Sequence, residues 1–326
     1  MVEILVTGGA GVIGSALVRK LKSNAANITI IDDLSGSSRA RVPDGVRFVH
    51  GSILDRSSLD DAFASRPRFV IHLASSFANQ RSVDDPEHDL QTNALGSLRV
   101  FEACRRFGVG KVIYASSSCV YGNAASTDET LNSIELSTPY SMSKYMGERY
   151  AEHFVRSCGL NVAIMRLFNV YGPGEYPFEY RNVIPLFLAR ALARLPLRVM
   201  GDGSDTRDFT YIEDVTAGVE LMMERETTPG GVLNLASGRP TTILELARMI
   251  NHVTGNEAGV EFVPKRNWDI VAHRRGEIGK ARRELGFDPR VDLRDGLART
   301  LDWFRRRVLP PSDENAPAAP DLAHAD

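Results

Sequence analysis

Short apolar segments alternate with longer amphipathic segments through the first half of the chain. The apolar segments have the length and composition of strands buried on both faces, and the amphipathic segments follow the helical period. This alternation predicts an α/β fold with a doubly wound parallel sheet and helices on both of its faces. The predicted strands are Val2–Val6, Ile28–Ile31, Arg47–Val49, Phe69–Leu73, Lys111–Ala115 and Val162–Leu167, and the predicted helices are Val12–Leu21, Ser57–Ala64, Pro86–Phe107 and Tyr140–Ser157.

The rhythm changes after Leu167, where a segment rich in Gly, Pro and Tyr begins. Further strands and helices are predicted beyond it, but they no longer alternate regularly. We therefore expect a second, smaller lobe after the sheet domain. Its predicted elements are the helices Val183–Ala193, Thr242–Val253 and Leu293–Arg306 and the strand Leu197–Met200.

The pattern divides the chain into three parts. Residues 1–167 are predicted to form the sheet domain, and segments around 205–240 are expected to return to it. Residues 168–309 are predicted to form mainly a smaller C-terminal α/β lobe that binds the substrate. Residues 310–326, with repeated Pro, Ala and Asp, have too little apolar content to fold and are predicted to be a disordered tail.

Composition narrows the class of protein. Of the 326 residues, 43% are hydrophobic and 25% are charged, which is usual for a soluble globular protein. The formal net charge of −2 gives no reason to expect nucleic acid or an anionic membrane as a partner. The three cysteines, Cys104, Cys119 and Cys158, form neither a disulfide framework nor a zinc-ligand pattern, so no metal site is expected. Since no apolar run resembles a leader or a membrane span, we expect a cytoplasmic protein.

A glycine-rich loop, Thr7–Gly14, lies directly between the first predicted strand and the first predicted helix. Glycines at this place permit a tight turn, let the backbone approach a pyrophosphate, and let the helix pack close to the sheet. The helix N-terminus then offers free N–H groups and a positive dipole end to the anion. The loop predicts a dinucleotide site of the Rossmann type, and the alternative is a purely structural glycine turn.

Asp32 ends the second predicted strand and is the second part of this fingerprint. A carboxylate there accepts hydrogen bonds from the adenosine ribose hydroxyls and repels a 2′-phosphate. This arrangement favours NAD over NADP, although Arg39 and Arg41 lie nearby and weaken the preference.

Tyr140 and Lys144 are four residues apart in a predicted helix and therefore share one face. A free phenol has a pKa of about 10 and is a poor base at neutral pH. Because a nearby ammonium stabilises the phenolate, we expect Lys144 to lower the pKa of Tyr140 toward the working range. The alternative is a packed tyrosine and a solvated lysine.

Three consecutive serines, Ser116–Ser118, follow the predicted strand that ends at Ala115. Ligands of open parallel sheets bind beyond the carboxyl ends of the strands, so a hydroxyl here can reach a substrate oxygen that Tyr140 deprotonates. Serine-rich loops also make turns, and we expect one of the three serines, rather than all three, to have this role.

Five motifs occur in one order along the chain. Together they make residues 1–309 resemble the extended short-chain dehydrogenase/reductase family, and within it the NAD-dependent sugar-nucleotide epimerases and dehydratases. The overall pattern is most similar to that of the UDP-glucose and UDP-glucuronate 4-epimerases. The motifs are Thr7–Gly14, Ser116–Gly122, the pair Tyr140 and Lys144, Phe168–Pro173 and Arg207–Tyr211.

The resemblance implies catalytic and cofactor roles for the matching residues. Tyr140 is the base, Lys144 lowers its pKa and binds the nicotinamide ribose, and Ser117 hydrogen-bonds the reacting sugar hydroxyl. NAD is the implied cofactor. The residues implied in its binding are Gly8, Gly11, Val12, Ile13, Gly14, Asp32, Ser52, Ile53, Leu73 and Ala74, together with Tyr140 and Lys144.

The resemblance also implies a nucleotide-sugar site in the C-terminal lobe. Guanidinium groups suit a diphosphate because their planar fork pairs with two phosphate oxygens. Arg207 and Arg266 match the arginines of the family, but the spacing after Arg266 departs from its pattern, so Arg274 or Arg275 is the alternative. Arg181 is a candidate for contact with an anionic group at C6 of the sugar. The other implied substrate residues are Asn169, Asn182 and Val183, and we expect a homodimer.

Two parts of the chain depart from the family pattern. The 4,6-dehydratases carry Asp-Glu just before Val-Tyr-Gly and the decarboxylases carry Glu, whereas this chain has Ser118 and Cys119. Elimination needs a carboxylate acid/base pair, so both activities are disfavoured. Ser52 stands where the family has an Asp that contacts adenine, so that contact is in question, while Ile53 can still pack on the ring.

The sequence therefore predicts a nucleotide-sugar 4-epimerase that works through a transient 4-keto intermediate, with NAD retained and a UDP-sugar as substrate. The alternatives are a dehydrogenase or reductase that releases its cofactor, an epimerase that acts at another carbon or on another nucleotide, and a non-catalytic NAD-binding regulator. The regulator is disfavoured because Ser117, Tyr140 and Lys144 are all present.

Overall fold

The computed structural model describes residues 2–23, 26–77, 79–124, 126–130, 135–177 and 182–308. Strands alternate with helices along the first half of the chain, as the hydrophobic pattern predicts. The strands are β1 (Glu3–Thr7), β2 (Asn27–Asp32), β3 (Arg47–His50), β4 (Phe69–His72), β5 (Lys111–Ser117), β6 (Val162–Leu167), β7 (Val170–Tyr171), β8 (Leu197–Met200), β9 (Thr206–Asp208), β10 (Thr210–Tyr211), β11 (Val232–Leu235), β12 (Pro240–Thr242) and β13 (Val260–Val263).

The α-helices follow the same order along the chain. They are α1 (Val12–Ser23), α2 (Arg56–Phe63), α3 (Asn79–Asp84), α4 (Pro86–Asp89), α5 (Gly96–Phe107), α6 (Pro139–Cys158), α7 (Val183–Leu192), α8 (Ile212–Glu224), α9 (Ile243–Thr254), α10 (Gly279–Leu285) and α11 (Leu293–Arg307).

Seven strands form one sheet in the order β11-β6-β5-β4-β1-β2-β3, and all of its pairings are parallel. Helices α1, α8 and α10 bury apolar side chains against one face of the sheet, and α2, α5 and α6 cover the other. Strands covered on both faces must be apolar on both, which is why β5 is buried at every position. The predicted doubly wound parallel sheet is therefore confirmed.

The predicted helix over residues 86–107 is interrupted by a π-helical turn, Leu90–Leu95, between α4 and α5. Within this turn, the Asn93 side chain donates to Asp89 Oδ1 at 2.7 Å and to the Ser76 carbonyl at 3.0 Å. The pattern of apolar positions misses the turn because one added residue hardly alters a helical period. Turns of this kind are common at functional sites.

A second apolar core lies in the C-terminal half, between α7, α9, α11 and β8. Three two-stranded pairings accompany it: β8 with β13 and β7 with β10 are parallel, and β9 with β12 is antiparallel. Of the strands in these pairings, the sequence pattern predicts β8. Strands β7, β9, β10 and β12 have two or three residues, which is too short for a period of two to be visible, and the four-residue β13 has no fully buried position.

Residues 212–235 belong to the C-terminal half of the chain but pack on the seven-stranded sheet. Helix α8 packs against α1, and β11 pairs with β6 at the edge of the sheet. The division of the chain into a cofactor domain and a substrate lobe stays a prediction. Arg181 and residues 310–326 lie outside the described residues. Within the described ranges, no helix has both the length and the apolar content needed to cross a membrane.

Candidate active site

The glycine loop connects β1 to α1 at the carboxyl edge of the sheet. Gly8 has a φ of +69°, and a Cβ there would lie 2.6 Å from the Ala74 nitrogen. A Cβ on Gly14 would lie 2.3 Å from the Gly8 carbonyl oxygen. Both neighbours are backbone atoms that cannot swing aside, so these two positions require glycine for the loop to close over the strand ends.

Asp32 lies at the carboxyl end of β2 and hydrogen-bonds to the glycine loop. Its Oδ2 accepts a hydrogen bond from the Ala10 nitrogen at 3.0 Å, and its Oδ1 accepts from Leu34 N and Ser37 Oγ at 2.9 and 2.8 Å. The carboxylate therefore fixes both the glycine loop and the turn after β2. The two arginines close to it in sequence lie over aromatic rings, Arg39 over Phe48 and Arg41 over Tyr176.

The remaining candidate cofactor residues follow β3 and β4 at the same edge of the sheet. Ser52 Oγ accepts from the Leu54 nitrogen at 3.2 Å, so its hydroxyl caps a turn. Ile53 is buried and lies against Gly96, where a Cβ would approach its Cδ1 to 2.6 Å. Leu73 N donates to the Thr7 carbonyl and Ala74 N to the Thr7 hydroxyl, at 3.1 and 3.2 Å.

These strand ends fit a dinucleotide. The loop Gly8–Gly14 is closed too tightly for side chains and opens α1, and a carboxylate ends the neighbouring strand. Val12 and Ile13 are the first residues of α1 and are partly exposed beside this loop. A pyrophosphate at this helix terminus and a ribose at Asp32 are the contacts that such an arrangement offers.

Tyr140 and Lys144 lie one turn apart near the start of α6, and both side chains are buried. The helix begins at Pro139 behind a capping box in which the Thr138 hydroxyl accepts from the Ser141 nitrogen. Lys144 Nζ donates to the Ala115 carbonyl oxygen at 2.8 Å. Burial lowers the pKa of Lys144 to about 8, so its ammonium is poised near neutral pH.

The pKa of Tyr140 moves in the opposite direction from the sequence expectation. Burial raises it above its ordinary value, and hydrogen bonds with the hydroxyls of Ser117 and Ser75 act against this rise. Lys144 Nζ lies 6.0 Å from the centroid of the Tyr140 ring, and its charge does not overcome desolvation of the phenolate. The direction is opposite to the expectation that Lys144 lowers this pKa toward the working range, because burial dominates.

The three consecutive serines, Ser116–Ser118, lie in three different environments. Ser117 ends β5, accepts a hydrogen bond from the Cys119 nitrogen at 3.1 Å, and interacts with the Tyr140 phenol. Ser116 points to the other side and donates to Glu148 Oε1. Ser118 is buried and offers its carbonyl oxygen to Arg274. Ser117 is thus the serine that the structure brings to Tyr140.

A buried ion pair beneath this segment was not anticipated from the sequence. The Glu148 carboxylate accepts hydrogen bonds from Arg166 Nε at 2.9 Å and Nη2 at 2.7 Å. The Arg166 guanidinium lies 4.5 Å from the centroid of the Tyr121 ring. The pair joins α6, β5 and β6 around the catalytic candidates. The available signal was the position of Glu148, four residues after Lys144 and therefore on the same face of α6.

The candidate substrate residues of the middle segment surround β7. Asn169 is half-buried, and its carbonyl accepts from the Thr210 nitrogen at 3.0 Å. Asn182 immediately precedes α7, and its Nδ2 donates to the buried Glu175 carboxylate at 3.0 Å. Val183 is the first residue of α7 and packs on the second core.

The candidate arginines differ sharply in their contacts. Arg207 pairs with Asp269 at 3.2 Å, and Arg274 is buried and donates from Nη1 to the Ser118 carbonyl at 2.8 Å. Burial lowers the pKa of Arg274, and the positive charge of Arg207 lowers it further. Arg274 Nη2 also donates to the Gly122 carbonyl oxygen. Arg266 lies over the Trp268 ring at 5.7 Å, and Arg275 Nε donates to a carbonyl oxygen at the surface.

Cys119 is half-buried, and Asn79 Nδ2 lies 3.5 Å from its sulfur. The thiol also interacts electrostatically with Tyr140, Lys144 and Arg274. The position where the dehydratases carry a glutamate is therefore directed at the reacting groups, but it holds a thiol. Among the described residues, no three His, Cys, Asp or Glu side chains are grouped to hold a metal ion.

Comparison with known proteins agrees with this geometry. Residues 4–236 match the sequence profile of the NAD dependent epimerase/dehydratase family. An epimerase structure from Methanothermobacter thermautotrophicus is 44% identical with a TM-score of 0.92, covering 94% of this chain and 93% of that one. A UDP-glucose 4-epimerase structure with UDP-glucose from Thermotoga maritima is 34% identical with a TM-score of 0.90, covering 94% and 99%. A dTDP-glucose 4,6-dehydratase from Streptomyces antibioticus is 32% identical over 93% of this chain and 92% of its own length. The chain belongs to the NAD-dependent epimerase/dehydratase family of the extended short-chain dehydrogenases/reductases.

Proposed function

We propose that the protein is a 4-epimerase of nucleotide sugars and that its substrate is UDP-linked. The observation that carries this proposal is the cluster of Ser117, Tyr140 and Lys144 beside a turn that has no carboxylate. The cluster supplies reversible proton transfer at one sugar hydroxyl. Nothing on the turn between Ser116 and Gly122 supplies a second acid or base for elimination.

The chain's own residues supply the proton transfer and the positioning in this reaction. Tyr140 takes the proton from the C4 hydroxyl, and the Ser117 hydroxyl holds the same oxygen. The cofactor provides a reversible hydride acceptor at C4 of the sugar. The ammonium of Lys144 stabilises the phenolate of Tyr140 and holds the nicotinamide ribose. Once the 4-keto sugar has turned over in the pocket, Tyr140 would return the proton to the C4 oxygen, and the hydride held by a bound cofactor would return to the opposite face of C4.

The residues just before Val120 distinguish an epimerase from a dehydratase. Loss of water across C5 and C6 needs a carboxylic acid and a carboxylate at the positions of Ser118 and Cys119. A serine hydroxyl and a cysteine thiol do not provide that pair. The same substitution removes the glutamate expected of a decarboxylase.

We assign the diphosphate to Arg207 and Arg274. The positive charge of Arg207 lowers the pKa of Arg274, so an anion that contacts both guanidinium groups would be stabilised by both. Arg266 and Arg275 are the alternatives, but their groups face Trp268 and Gly238. Asn169, Asn182 and Val183 are proposed to contact the nucleotide sugar from the segment between β6 and α7.

Incubation of the enzyme with UDP-sugars in deuterated water and catalytic NAD tests the reaction type. Direct hydride return predicts two C4 epimers in NMR spectra, with no deuterium at C4 or C5 and no net NADH. Deuterium at C5 or loss of water would indicate a dehydratase or an epimerase at another carbon. Stoichiometric NADH would indicate a dehydrogenase, and absence of any turnover across a panel of nucleotide sugars would favour the regulator.

We also propose a homodimer formed through the helices beside the active site. Helix α6 packs against α3, α5 and the π turn, and this group presents several large apolar side chains to the surface. Light scattering coupled to gel filtration is expected to give twice the chain mass, and Leu90→Glu or Met146→Glu to give the monomer. The exposed apolar residues are Val83, Leu90, Leu95, Met142 and Met146.

A cytoplasmic location is part of the same proposal. The three cysteines are unpaired, with Cys104 buried, Cys119 half-buried and Cys158 exposed. Free thiols, including an exposed one, suit a reducing compartment. Fractionation of cells that express the chain would test this location.

A further inference from the structure

Two buried carboxylates, Asp89 and Glu148, interact electrostatically with the Lys144 ammonium. Glu148 already has a cation of its own, because the Arg166 guanidinium donates two hydrogen bonds to it. Asp89 differs, since no ion pair among the described residues includes it. The negative charge of Asp89 is therefore not neutralised by a cation in contact with it, and its field is available to Lys144.

Asp89 ends α4, immediately before the π turn, and is 1% exposed. Its Oδ1 accepts a hydrogen bond from Asn93 Nδ2 at 2.7 Å, and its Oδ2 accepts from Ser143 Oγ at 2.6 Å. The same Ser143 hydroxyl lies 3.1 Å from the carbonyl oxygen of Tyr140. Since Ser143 lies between Tyr140 and Lys144 in α6, the carboxylate is bound to the turn that carries both of them.

The burial of this carboxylate needs an explanation, because a charge taken out of water without an ion-pair partner destabilises a fold. An uncharged amide or hydroxyl at the same position could also accept from Asn93 without that penalty. The negative charge is therefore the property to be explained. Of the titratable groups that interact with Asp89, Lys144 is the one that is both buried and cationic. These groups are His88 on α4, Tyr114 on β5, and Tyr140 and Lys144 on α6.

The charge of Asp89 acts in the same direction on both members of the catalytic pair. Burial lowers the pKa of Lys144 to about 8, and the charge of Asp89 opposes this lowering. Burial raises the pKa of Tyr140, and the charge of Asp89 adds to that rise. A neutral side chain at position 89 would therefore lower both pKa values, so Lys144 would lose its positive charge at a lower pH.

We propose that Asp89 is a positioning residue that keeps the positive charge on Lys144 and fixes the first turns of α6 through Ser143. This inference rests on the proposed function, because that function requires the ammonium of Lys144 to stabilise the phenolate of Tyr140. Asp89 acts through Lys144 and Ser143 and takes no proton from the substrate. The π turn places the carboxylate there, since it carries Asn93, the second donor to Asp89.

Direct titration of Lys144 gives the first test. Asp89→Asn removes the charge and keeps the shape, and its amide can donate to the Ser143 oxygen while that hydroxyl donates to the Tyr140 carbonyl. Carbon-13 NMR of the lysine side chains, on the full chain loaded with NAD, follows the ammonium directly. The Lys144 signal is identified by its absence from Lys144→Met. Its titration midpoint should fall by about one pH unit in Asp89→Asn.

The pH dependence of turnover gives the second test. With UDP-glucose as substrate, kcat of Asp89→Asn should decline on the alkaline side at a lower pH than kcat of wild type, because Lys144 loses its charge earlier. KM should change less than kcat, since Asp89 contacts α6 rather than the proposed diphosphate arginines. Asp89→Glu keeps the charge and should restore most of the wild-type midpoint, which a purely structural role of the side chain would not predict.

Glu87→Gln is the matched control, because it removes an exposed carboxylate from the same helix and should leave the Lys144 midpoint unchanged. An Lys144 midpoint in Asp89→Asn equal to that of wild type would overturn the proposal, although epimerase activity could stand. Asp89→Ser repeats the measurement with a smaller neutral side chain if Asp89→Asn does not fold. A shifted midpoint in an enzyme that turns over no nucleotide sugar would support the effect of Asp89 on Lys144 and overturn the proposed function alone.

Discussion

The Lys144 ammonium donates to the carbonyl oxygen of Ala115 over 2.8 Å, and both groups are buried. Ala115 precedes Ser117 by two residues on β5, and Lys144 follows Tyr140 by one turn on α6. This contact ties the helix that carries the phenol to the strand that carries the hydroxyl. The proposed roles of Tyr140 and Ser117 depend on that arrangement.

Replacement of Tyr140 by phenylalanine is expected to lower kcat by about a hundredfold to ten-thousandfold. The ring remains and fills the same buried space, so the affinity for UDP should change little. Steady-state kinetics with UDP-glucose, together with calorimetry of UDP binding, separates the two effects. Turnover close to that of wild type would remove Tyr140 from the proposed role.

Ser117→Ala should reduce kcat about tenfold, which corresponds to the loss of one neutral hydrogen bond of about 1.4 kcal/mol. The effect is smaller than at Tyr140 because water or the neighbouring Ser75 hydroxyl can partly replace the lost group. Ser118→Ala is the matched control, since Ser118 contacts Arg274 through its carbonyl oxygen, which the change keeps. A larger loss in the control than in Ser117→Ala would mean that Ser118 is the catalytic serine.

Asp32→Ala is expected to weaken NAD binding by about tenfold to a hundredfold, because hydrogen bonds to a charged group are lost. The change also frees the Ala10 nitrogen that orders the glycine loop. Asp33→Ala tests the neighbouring carboxylate, which is exposed and bonds within its own turn to Ser35. Fluorescence titration with NADH and NADPH measures both variants, and a preference of wild type for NADPH would contradict the assignment.

His72 makes the stability of the fold depend on pH. It is buried between the Thr7 and Ser97 hydroxyls, and burial lowers its pKa from 6.5 to about 3. The folded ring therefore stays neutral while the unfolded chain takes up a proton below pH 6.5. As pH falls from 6.5 toward 3, the free energy of unfolding should drop by up to about 1.4 kcal/mol per pH unit from this group.

His72→Gln keeps hydrogen-bonding groups but cannot titrate, so its free energy of unfolding should depend less on pH below 6.5. Urea unfolding of wild type and variant at several pH values from about 4.5 to about 7.5, a range that spans the unfolded-state pKa of histidine, measures the difference. His153→Gln, at an exposed position on α6, is the control and should unfold in parallel with wild type. Parallel curves for His72→Gln and wild type would contradict the prediction.

The sequence by itself determined the features that depend on spacing within one element. The alternation of strands and helices, the glycine loop after β1 and the i, i+4 relation of Tyr140 to Lys144 are all local, so periodicity and turn chemistry reveal them. The ordered motifs also indicated the family and its cofactor. The short strands of the C-terminal half and the π turn before α5 leave no comparable periodic signal.

Only the tertiary structure decided which distant groups meet and how burial alters them. It places Ser117 rather than Ser116 beside Tyr140, brings Arg274 across 156 residues to the Ser118 carbonyl, and sets Asp269 against Arg207. It also raises the pKa of Tyr140, contrary to the expectation drawn from the nearby lysine. Desolvation depends on everything packed around a group, and a linear sequence records the spacing of residues without the packing that surrounds them.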